Sequence, residues 1–317
     1  MKTYCLKKGI VKKVSRSSNS DKGSLPKIKG KLLLNELMSL HTSFKIGGPA
    51  DILALPKDVS DLQVLLKWAG KNSVAVFVFG AGTNLLVSDR GIRGVVVQLG
   101  SGFEGVRILD SIVQAGAAAR LSRVLRKSLG RGLSGLEGLA GIPGTIGGAI
   151  CMNAGTPLGC IEDTLERVKV VDNRGKVKEL PAGKLGLTYR GSAVQDCGLI
   201  IAEAAFRLYP KEPDEIDRIV GSLLTMRRRT QPVGVGTAGS AFKNPEGSYA
   251  GQILESIGAK GMQVGGARVS GKHANFIENT GDATAEDVRE LMTRLQSLVK
   301  EKFGIILEAE IHIVGEW

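Results

Sequence analysis

Apolar positions along the chain alternate between helical and extended spacing, and the alternation marks out its elements. Residues 31–40 read as a short amphipathic lead-in, and residues 41–51 as a turn-rich segment before the apolar run 52–55. Leu62, Val64, Leu65 and Trp68 then recur at helical spacing, with Ser60 placed to cap that helix. Residues 74–79 are continuously apolar, as in a buried strand; a glycine loop follows, and residues 95–99 give a second strand. Leu121, Val124, Leu125 and Leu129 mark a helix within 119–129. Residues 132–155 are glycine-rich and show no regular element longer than a turn or two. The runs 168–171 and 177–180, separated by Asp172-Asn173-Arg174-Gly175, predict a hairpin, and 199–208 a strand ended by Pro210. The last third predicts helices over 214–229 and 250–257. A third begins at the capping-box-like Thr284 and stops at Gly304, and a final strand covers 305–314. No repeat of solenoid period is present.

At 317 residues the chain exceeds one small core, so two or three domains are expected. No apolar run approaches the roughly 20 residues of a membrane span, and no apolar segment follows the N-terminal charges as a secretory signal requires. The net charge of +12 suggests nucleic acid until it is located. Residues 1–31 hold ten Lys/Arg against Asp21, so the tail carries +9 and the rest of the chain +3. The tail is Ser-rich and without periodicity, and is expected to be disordered. With aromatics at 4%, a stacking platform for single strands is not expected either, which leaves no nucleic-acid partner. Cys5, Cys151, Cys160 and Cys197 form no CxxC pair, which fits free thiols in a reducing cytoplasm. His41, His273 and His312 are widely separated, and no metal site is expected.

Three segments carry candidate chemistry. In Phe79-Gly80-Ala81-Gly82-Thr83-Asn84-Leu85-Leu86 the two glycines can turn successive N–H groups toward one anion, with Thr83 and Asn84 adding side-chain bonds. Leu85 stands where a dinucleotide fingerprint has its third glycine, and the Gly-Lys-Ser/Thr end of a Walker loop is missing, so a plain tight turn is the competing reading. Residues 138–148 contain five glycines, whose backbone can wrap a pyrophosphate or a flat ring such as an isoalloxazine. A glycine-rich crossover packed on a strand would look the same. In Gly239-Ser240-Ala241-Phe242-Lys243-Asn244-Pro245 the serine hydroxyl can give a proton to a bound carbanion, although Gly-Ser is more often only a turn. Arg190 by itself reads as a surface ion-pair residue. Glu310, alternating with Ile311 and Ile313, reads as the solvent face of a strand.

Six blocks change that weighting. GAGTNLL, GLEGLAGIPGTIGGAICMNAG, Tyr189-Arg190-Gly191-Ser192, GSAFKNP, AGQILESIGAKGMQVGGARVSGKHANFI and FGIILEAEIHIVG occur in an order that resembles the UDP-N-acetylenolpyruvoylglucosamine reductase family, across residues 35–315. The resemblance implies an α+β fold: a two-subdomain FAD-binding unit of the vanillyl-alcohol oxidase (PCMH) type, then a C-terminal α+β substrate-binding domain. The expected division is a tail at 1–31, subdomains at 32–99 and 100–210, and the substrate-binding domain at 211–317. Almost no insertion separates Tyr189-Arg190-Gly191-Ser192 from the strand at 199, which is similar to the shorter, type II members.

The family's activity is NADPH-dependent reduction of an enolpyruvyl UDP-sugar to UDP-N-acetylmuramate, a peptidoglycan precursor, through FAD. Carried onto this sequence, the proton donor is Ser240, the substrate arginine Arg190 and the terminal carboxylate Glu310. An arginine fork suits a carboxylate on which charge develops, and Glu310 can donate to it only when protonated. The implied flavin contacts are Gly80, Ala81, Gly82, Thr83, Asn84, Leu85, Gly141, Ile142, Pro143, Gly144, Thr145, Gly148, Asn153, Ala154, Gly155 and Arg227. Tyr189, Lys243 and Asn244 are implied for substrate. A cytoplasmic monomer without a membrane span is expected. Two departures stand out: Thr156-Pro157 follows Asn153-Ala154-Gly155 where the family commonly has an aromatic, and Thr83 replaces a usual serine. Another flavin-dependent oxidoreductase of the same fold, or a catalytically silent nucleotide-binding scaffold, remains open at this point.

Overall fold

The computed structural model describes residues 24–195 and 197–317. Most of the basic tail, including Cys5, lies outside the described residues. Its last part, 24–31, is described: Lys29 and Gly30 donate their backbone N–H groups to the buried Asp61 carboxylate at 2.9 and 2.8 Å, and Trp68 Nε1 donates to the Ser24 carbonyl at 3.1 Å.

The chain forms two compact units, each assembled from separated segments. The first takes residues up to 34, 51–80 and 94–223, and the second 35–50, 81–93 and 224–317. One sheet has the strand order Lys31–Leu37, Pro49–Leu55, Ile92–Gln98, Val76–Phe79, with residues 76–79 parallel to 95–98. Residues 31–37 are thus a strand rather than an amphipathic lead-in. Helix α1 (Val59–Lys71) buries Leu62, Leu65 and Leu66 in a core with Ala54, Val95, Val97 and Phe103. Its cap is Asp58, not the expected Ser60. The Asp58 carboxylate accepts from Asp61 N–H at 3.0 Å, and Ser60 Oγ donates to the same carboxylate at 2.6 Å. Both residues are good caps, and the one that keeps extended dihedrals takes the place.

The larger sheet of the first unit is fully antiparallel, in the order Val177–Pro181, Leu165–Val171, Ile200–Arg207, Ile112–Gly116, Val106–Leu109. Strand alternation sorts its residues. Val113, Ala115, Val168, Val170, Ala204 and Phe206 are buried, while Arg107, Gln114, Arg167, Lys169 and Glu203 form the polar face. Helix α2 is Leu121–Leu129, and α3 (Ile146–Cys151) packs against strands 112–116 and 200–207. At six residues α3 is under two turns, within the turn or two expected of the glycine-rich stretch. Helix α4 is Pro213–Thr230.

The second unit holds α5 (Ala250–Ser256), α6 (Ala285–Phe303) and a three-stranded antiparallel sheet of Gln263–Val264, Ala267–Val269 and Ile277–Asn279. Thr284 and Asp287 form the expected capping box, and Gly304 ends α6 at φ +70. Phe44, Leu86, Phe242, Leu254, Val269, Leu291 and Leu295 share one core. Leu85–Val87 pairs in parallel with His312–Val314. The expected strand over 305–314 is regular only at 312–314, preceded by a single bridge between Phe242 and Ala309. No described helix is long and apolar enough to cross a membrane.

Candidate functional site

In the first unit the two glycine segments meet. A Cβ on Gly80 would overlap the Thr145 hydroxyl, so the strand 76–79 can end against the start of α3 only with glycine there. Thr145 is the N-cap of α3 and is buried, its Oγ1 3.5 Å from Gly148 N–H. The segment is tied down from behind. Leu121 N–H donates to the Gly144 carbonyl at 3.0 Å, Ile146 N–H to Ala119 at 3.0 Å and Gly147 N–H to Ala117 at 2.8 Å. Gly141 and Gly144 have φ of +76 and +143, values costly for any residue with a Cβ. At Gly148 a Cβ would meet only Thr145 Oγ1, at 3.6 Å, so that side of α3 presents bare backbone with room beside it. Gly141 and Pro143 are exposed, and Ile142 and Gly144 half-buried.

Arg190 lies in the same unit, in a tight turn in which Thr188 and Gly191 exchange backbone bonds of 3.0 and 3.2 Å. Its φ is +57, a left-handed conformation uncommon outside glycine. Its Nη1 donates to the Gly155 carbonyl at 3.1 Å, and its guanidinium sits 5.1 Å from the centroid of the exposed Tyr189 ring. Two residues brace this turn. Asn153, itself at φ +40 and buried, donates to the Thr188 carbonyl and to Glu162 Oε2, both at 3.2 Å, and accepts from Glu162 N–H at 3.1 Å. Ser192 Oγ donates to the Cys151 carbonyl at 3.0 Å. Both amide hydrogens of Asn153 thus go to the protein scaffold. The departure at Thr156-Pro157 enters a two-residue hairpin turn, Pro157-Leu158, with Thr156 opposite Gly159 and Gly155 opposite Cys160. Thr156 Oγ1 donates to the Gly138 carbonyl at 3.0 Å, so the turn anchors the glycine segment. Burial pushes the Cys151 thiol up to about 11, so it stays protonated and unreactive at neutral pH.

In the second unit Gly82, at φ +65, lies so close to His41 that a Cβ would overlap the His41 carbonyl. Ser43 N–H donates to the Gly82 carbonyl at 3.0 Å, and Ser43 Oγ to the Thr237 carbonyl at 2.7 Å. Asn84 Nδ2 donates to the Glu310 carbonyl at 3.0 Å, and His312 N–H returns a 3.0 Å bond to the Asn84 carbonyl. Leu85 is buried, and Ala81 and Thr83 half-buried.

The Ser240 and Glu310 segments are neighbours. Glu310 N–H donates to the Ala241 carbonyl at 2.9 Å, Lys243 N–H to the Glu308 carbonyl at 2.8 Å, and Phe242 bridges Ala309. Ser240 and Glu310 are both half-buried, and Gly239 before the serine has φ +79. Lys243 Nζ lies 3.4 Å from Glu308 Oε2. Burial and the nearby Lys243 charge lower the pKa of His312. Asn244 Oδ1 accepts from Ala250 N–H at 3.0 Å at the start of α5. Arg227, near the end of α4, has Nη1 3.3 Å from Gln231 Oε1. Asn275, in the turn after His273, is the residue whose contribution sequence reasoning missed. It bonds both sides of the Phe242 peptide.

Comparison with known proteins gives the family. Residues 50–181 match the family model of an FAD binding domain, and residues 231–314 that of the UDP-N-acetylenolpyruvoylglucosamine reductase C-terminal domain. The chain is 41% identical over 289 residues to the UDP-N-acetylenolpyruvoylglucosamine reductase of Desulforamulus reducens, covering 91% of this chain and 95% of that one. It is 45% identical over 287 residues to the protein of that name from Caldanaerobacter subterraneus subsp. tengcongensis, covering 90% and 95%. The crystal structure of UDP-N-acetylenolpyruvylglucosamine reductase from Thermus caldophilus superposes with a TM-score of 0.78 at 35% identity, over 90% of this chain and 99% of that one. The α+β class is as expected, with an FAD-binding unit of the vanillyl-alcohol oxidase (PCMH) type ahead of the reductase C-terminal domain. The first unit fits a flavin nucleotide: the surface at Gly148 is backbone that a Cβ would fill, beside left-handed glycines at 141 and 144.

Proposed function

The chain belongs to the UDP-N-acetylenolpyruvoylglucosamine reductase family, and from that membership we propose that it reduces the enolpyruvyl ether of a UDP-N-acetylglucosamine to the lactyl ether of UDP-N-acetylmuramate. The observation that supports this most directly is the pairing of the Ser240 and Glu310 segments, with Glu310 N–H on the Ala241 carbonyl at 2.9 Å. It puts a hydroxyl proton source and a carboxyl group on adjacent backbone.

When bound, FAD supplies the two-electron chemistry, passing a hydride equivalent from NADPH to the outer enolpyruvyl carbon. The chain's own residues handle the charge and the proton. As the outer carbon gains hydrogen, the double-bond electrons move toward the substrate carboxylate, and the Arg190 fork stabilises the growing negative charge. A protonated Glu310 adds a hydrogen bond to that carboxylate. Ser240 gives its proton to the inner carbon, the displaced electron pair forms the new C–H bond, and the serine oxygen is reprotonated from solvent.

Bare backbone around Gly80, Gly141, Ile142, Pro143, Gly144, Thr145 and Gly148 faces the flavin nucleotide, with Ala81, Gly82, Thr83, Asn84, Leu85 and Arg227 completing its contacts. Asn153, Ala154 and Gly155 shape the wall beside it. Tyr189, Lys243 and Asn244 serve the sugar nucleotide. Residues 32–99 and 100–210 act as the flavin-binding subdomains and 211–317 as the substrate-binding domain of a cytoplasmic monomer. An oxidase of the same fold has no use for a proton donor at a substrate carbon, so a required Ser240 discriminates against it.

Anaerobic spectroscopy tests the reading. The flavin band near ~450 nm should bleach with NADPH and return with the enolpyruvyl substrate. Ser240→Ala should keep the bleaching and lose the return. A Ser240→Ala protein that re-oxidises at the wild-type rate would remove Ser240 as donor, and a protein that bleaches but never returns would remove the substrate.

A further inference from the structure

Ser240 lies in a short segment whose main chain is bonded on two sides. One side is the 308–310 backbone. The other is the turn at 273–276, where no regular strand runs beside residue 242. Ser240 bridges Phe276, and Ala241 N–H donates to the Asn275 carbonyl at 2.7 Å. At the next residue the side chain of Asn275 stands in for a strand partner. Phe242 N–H donates to Asn275 Oδ1 at 3.0 Å, and Asn275 Nδ2 donates to the Phe242 carbonyl at 2.8 Å. The amide therefore satisfies both groups of one peptide, as a neighbouring strand would.

Asn275 is only 3% exposed, and Phe242 and Ala241 are fully buried. Water is therefore a poor substitute for the amide, and an unpaired Phe242 N–H or C=O would be costly to keep. The turn is itself fixed: Asn275 N–H donates to His273 Nδ1 at 3.2 Å, and Phe276 N–H to the His273 carbonyl at 3.0 Å. In an extended segment a one-residue slip sends every side chain to the opposite face. Three bonds from one residue to Ala241 and Phe242 forbid that slip immediately after Ser240.

We propose that Asn275 is a positioning residue for proton delivery: its buried amide locks the register of the Ser240 segment, so that the serine hydroxyl stays on one face beside Glu310. This rests on Ser240 being the donor, and the test separates the two claims. The two half-reactions of the FAD-loaded, full-length protein are followed by stopped-flow for wild type, Ser240→Ala, Asn275→Ala, Asn275→Asp and the double variant Ser240→Ala/Asn275→Ala. Misplacing a reacting group by about 1 Å costs on the order of 10²-fold, so Asn275→Ala should slow re-oxidation by the enolpyruvyl substrate by that order. Reduction by NADPH should stay within about twofold. Because Asn275 acts through the hydroxyl, adding Asn275→Ala to Ser240→Ala should change re-oxidation by no more than about twofold.

Equal slowing of both half-reactions in Asn275→Ala, or full additivity with Ser240→Ala, would overturn the inference and leave Asn275 a stability residue. If Ser240→Ala slows re-oxidation and Asn275→Ala does not, the positioning claim fails alone. If Ser240→Ala does not slow it, the donor assignment fails and the inference falls with it. Should Asn275→Ala not fold, Asn275→Asp carries the same comparison. It keeps an acceptor for Phe242 N–H but loses the donor to the Phe242 carbonyl, so it too should slow re-oxidation selectively, and a wild-type rate in it would overturn the claim.

Discussion

Gly148→Ala separates two readings of the glycine segment because they predict opposite signs. Gly148 lies inside α3 with ordinary helical dihedrals, and the nearest atom to an added Cβ is Thr145 Oγ1 at 3.6 Å, ordinary van der Waals contact. Within the protein, alanine should therefore be free of strain. Glycine in a helix is about 1 kcal/mol less favourable than alanine, and a Gly→Ala change at a compatible site stabilises by ~0.4–1 kcal/mol. If α3 were only a crossover, the substitution would be a gain with no penalty. If the bare backbone is the flavin's resting surface, the methyl takes space the ligand needs, and overpacking of one such group costs about 1–3 kcal/mol. At 1.4 kcal/mol per decade that is roughly 5- to 150-fold in Kd. The assay is the melting temperature of the FAD-free protein together with an FAD titration by quenching of flavin fluorescence. The expected outcome is a higher melting temperature and weaker FAD binding in the same variant. A higher melting temperature with unchanged FAD affinity would refute the cradle. A lower melting temperature would refute the packing argument.

Two further outcomes follow from the fold. The Asp61 carboxylate is pushed up by burial but brought below its usual range by three backbone donors, Lys29, Gly30 and Lys57; Asp61→Ala should lose on the order of 3 kcal/mol in urea unfolding at neutral pH, and a loss under about 0.5 kcal/mol would contradict the anchoring role. His273 and His312 both have lowered pKa values, mainly from burial and secondly from Lys260 and Lys243 respectively; the unfolded chain then takes up protons that the native state refuses, so the melting temperature should fall between about pH 7.5 and about pH 5.5, and a rise over that window would contradict the burial of both rings.

What the sequence made legible was punctuation and period. Helices α1, α2, α4, α5 and α6 follow from apolar spacing and end signals, and the 165–171/177–181 hairpin from Asp172-Asn173-Arg174-Gly175 between two apolar runs. Misses occurred where tertiary contact overrides local preference. Residues 31–37 form a strand because the strand at 49–55 accepts them, and 305–311 stay irregular because they bond to 241–243 by side-specific bridges rather than by a ladder. Helix α3, six residues long, keeps within the turn or two expected of its stretch, where Gly147 and Gly148 remove both the propensity and the apolar stripe by which a longer helix is recognised.

The candidate site was legible to a different depth. The family resemblance put Ser240 and Glu310 in the same reading although they lie 70 positions apart in sequence, and the fold bonds their segments together. It could not distinguish a polar residue that meets a ligand from one that shapes the wall. An amide has the same two donors and one acceptor group in either role. Asn84, Asn153 and Asn244, all implied as ligand contacts, also direct amide groups to the Glu310 carbonyl, to Thr188 and Glu162, and to the start of α5. Asn275 makes its bonds beside Ser240. Two of these braces lie beside residues proposed for the chemistry: Asn153 supports the turn in which Arg190 takes φ +57, and Asn275 grips the peptide two residues after Ser240. A left-handed arginine costs on the order of 1–3 kcal/mol and persists only where its surroundings over-determine it. At Phe242 a short, rigid amide imitates a peptide group: Asn275 satisfies the buried N–H and C=O that a neighbouring strand would otherwise pair.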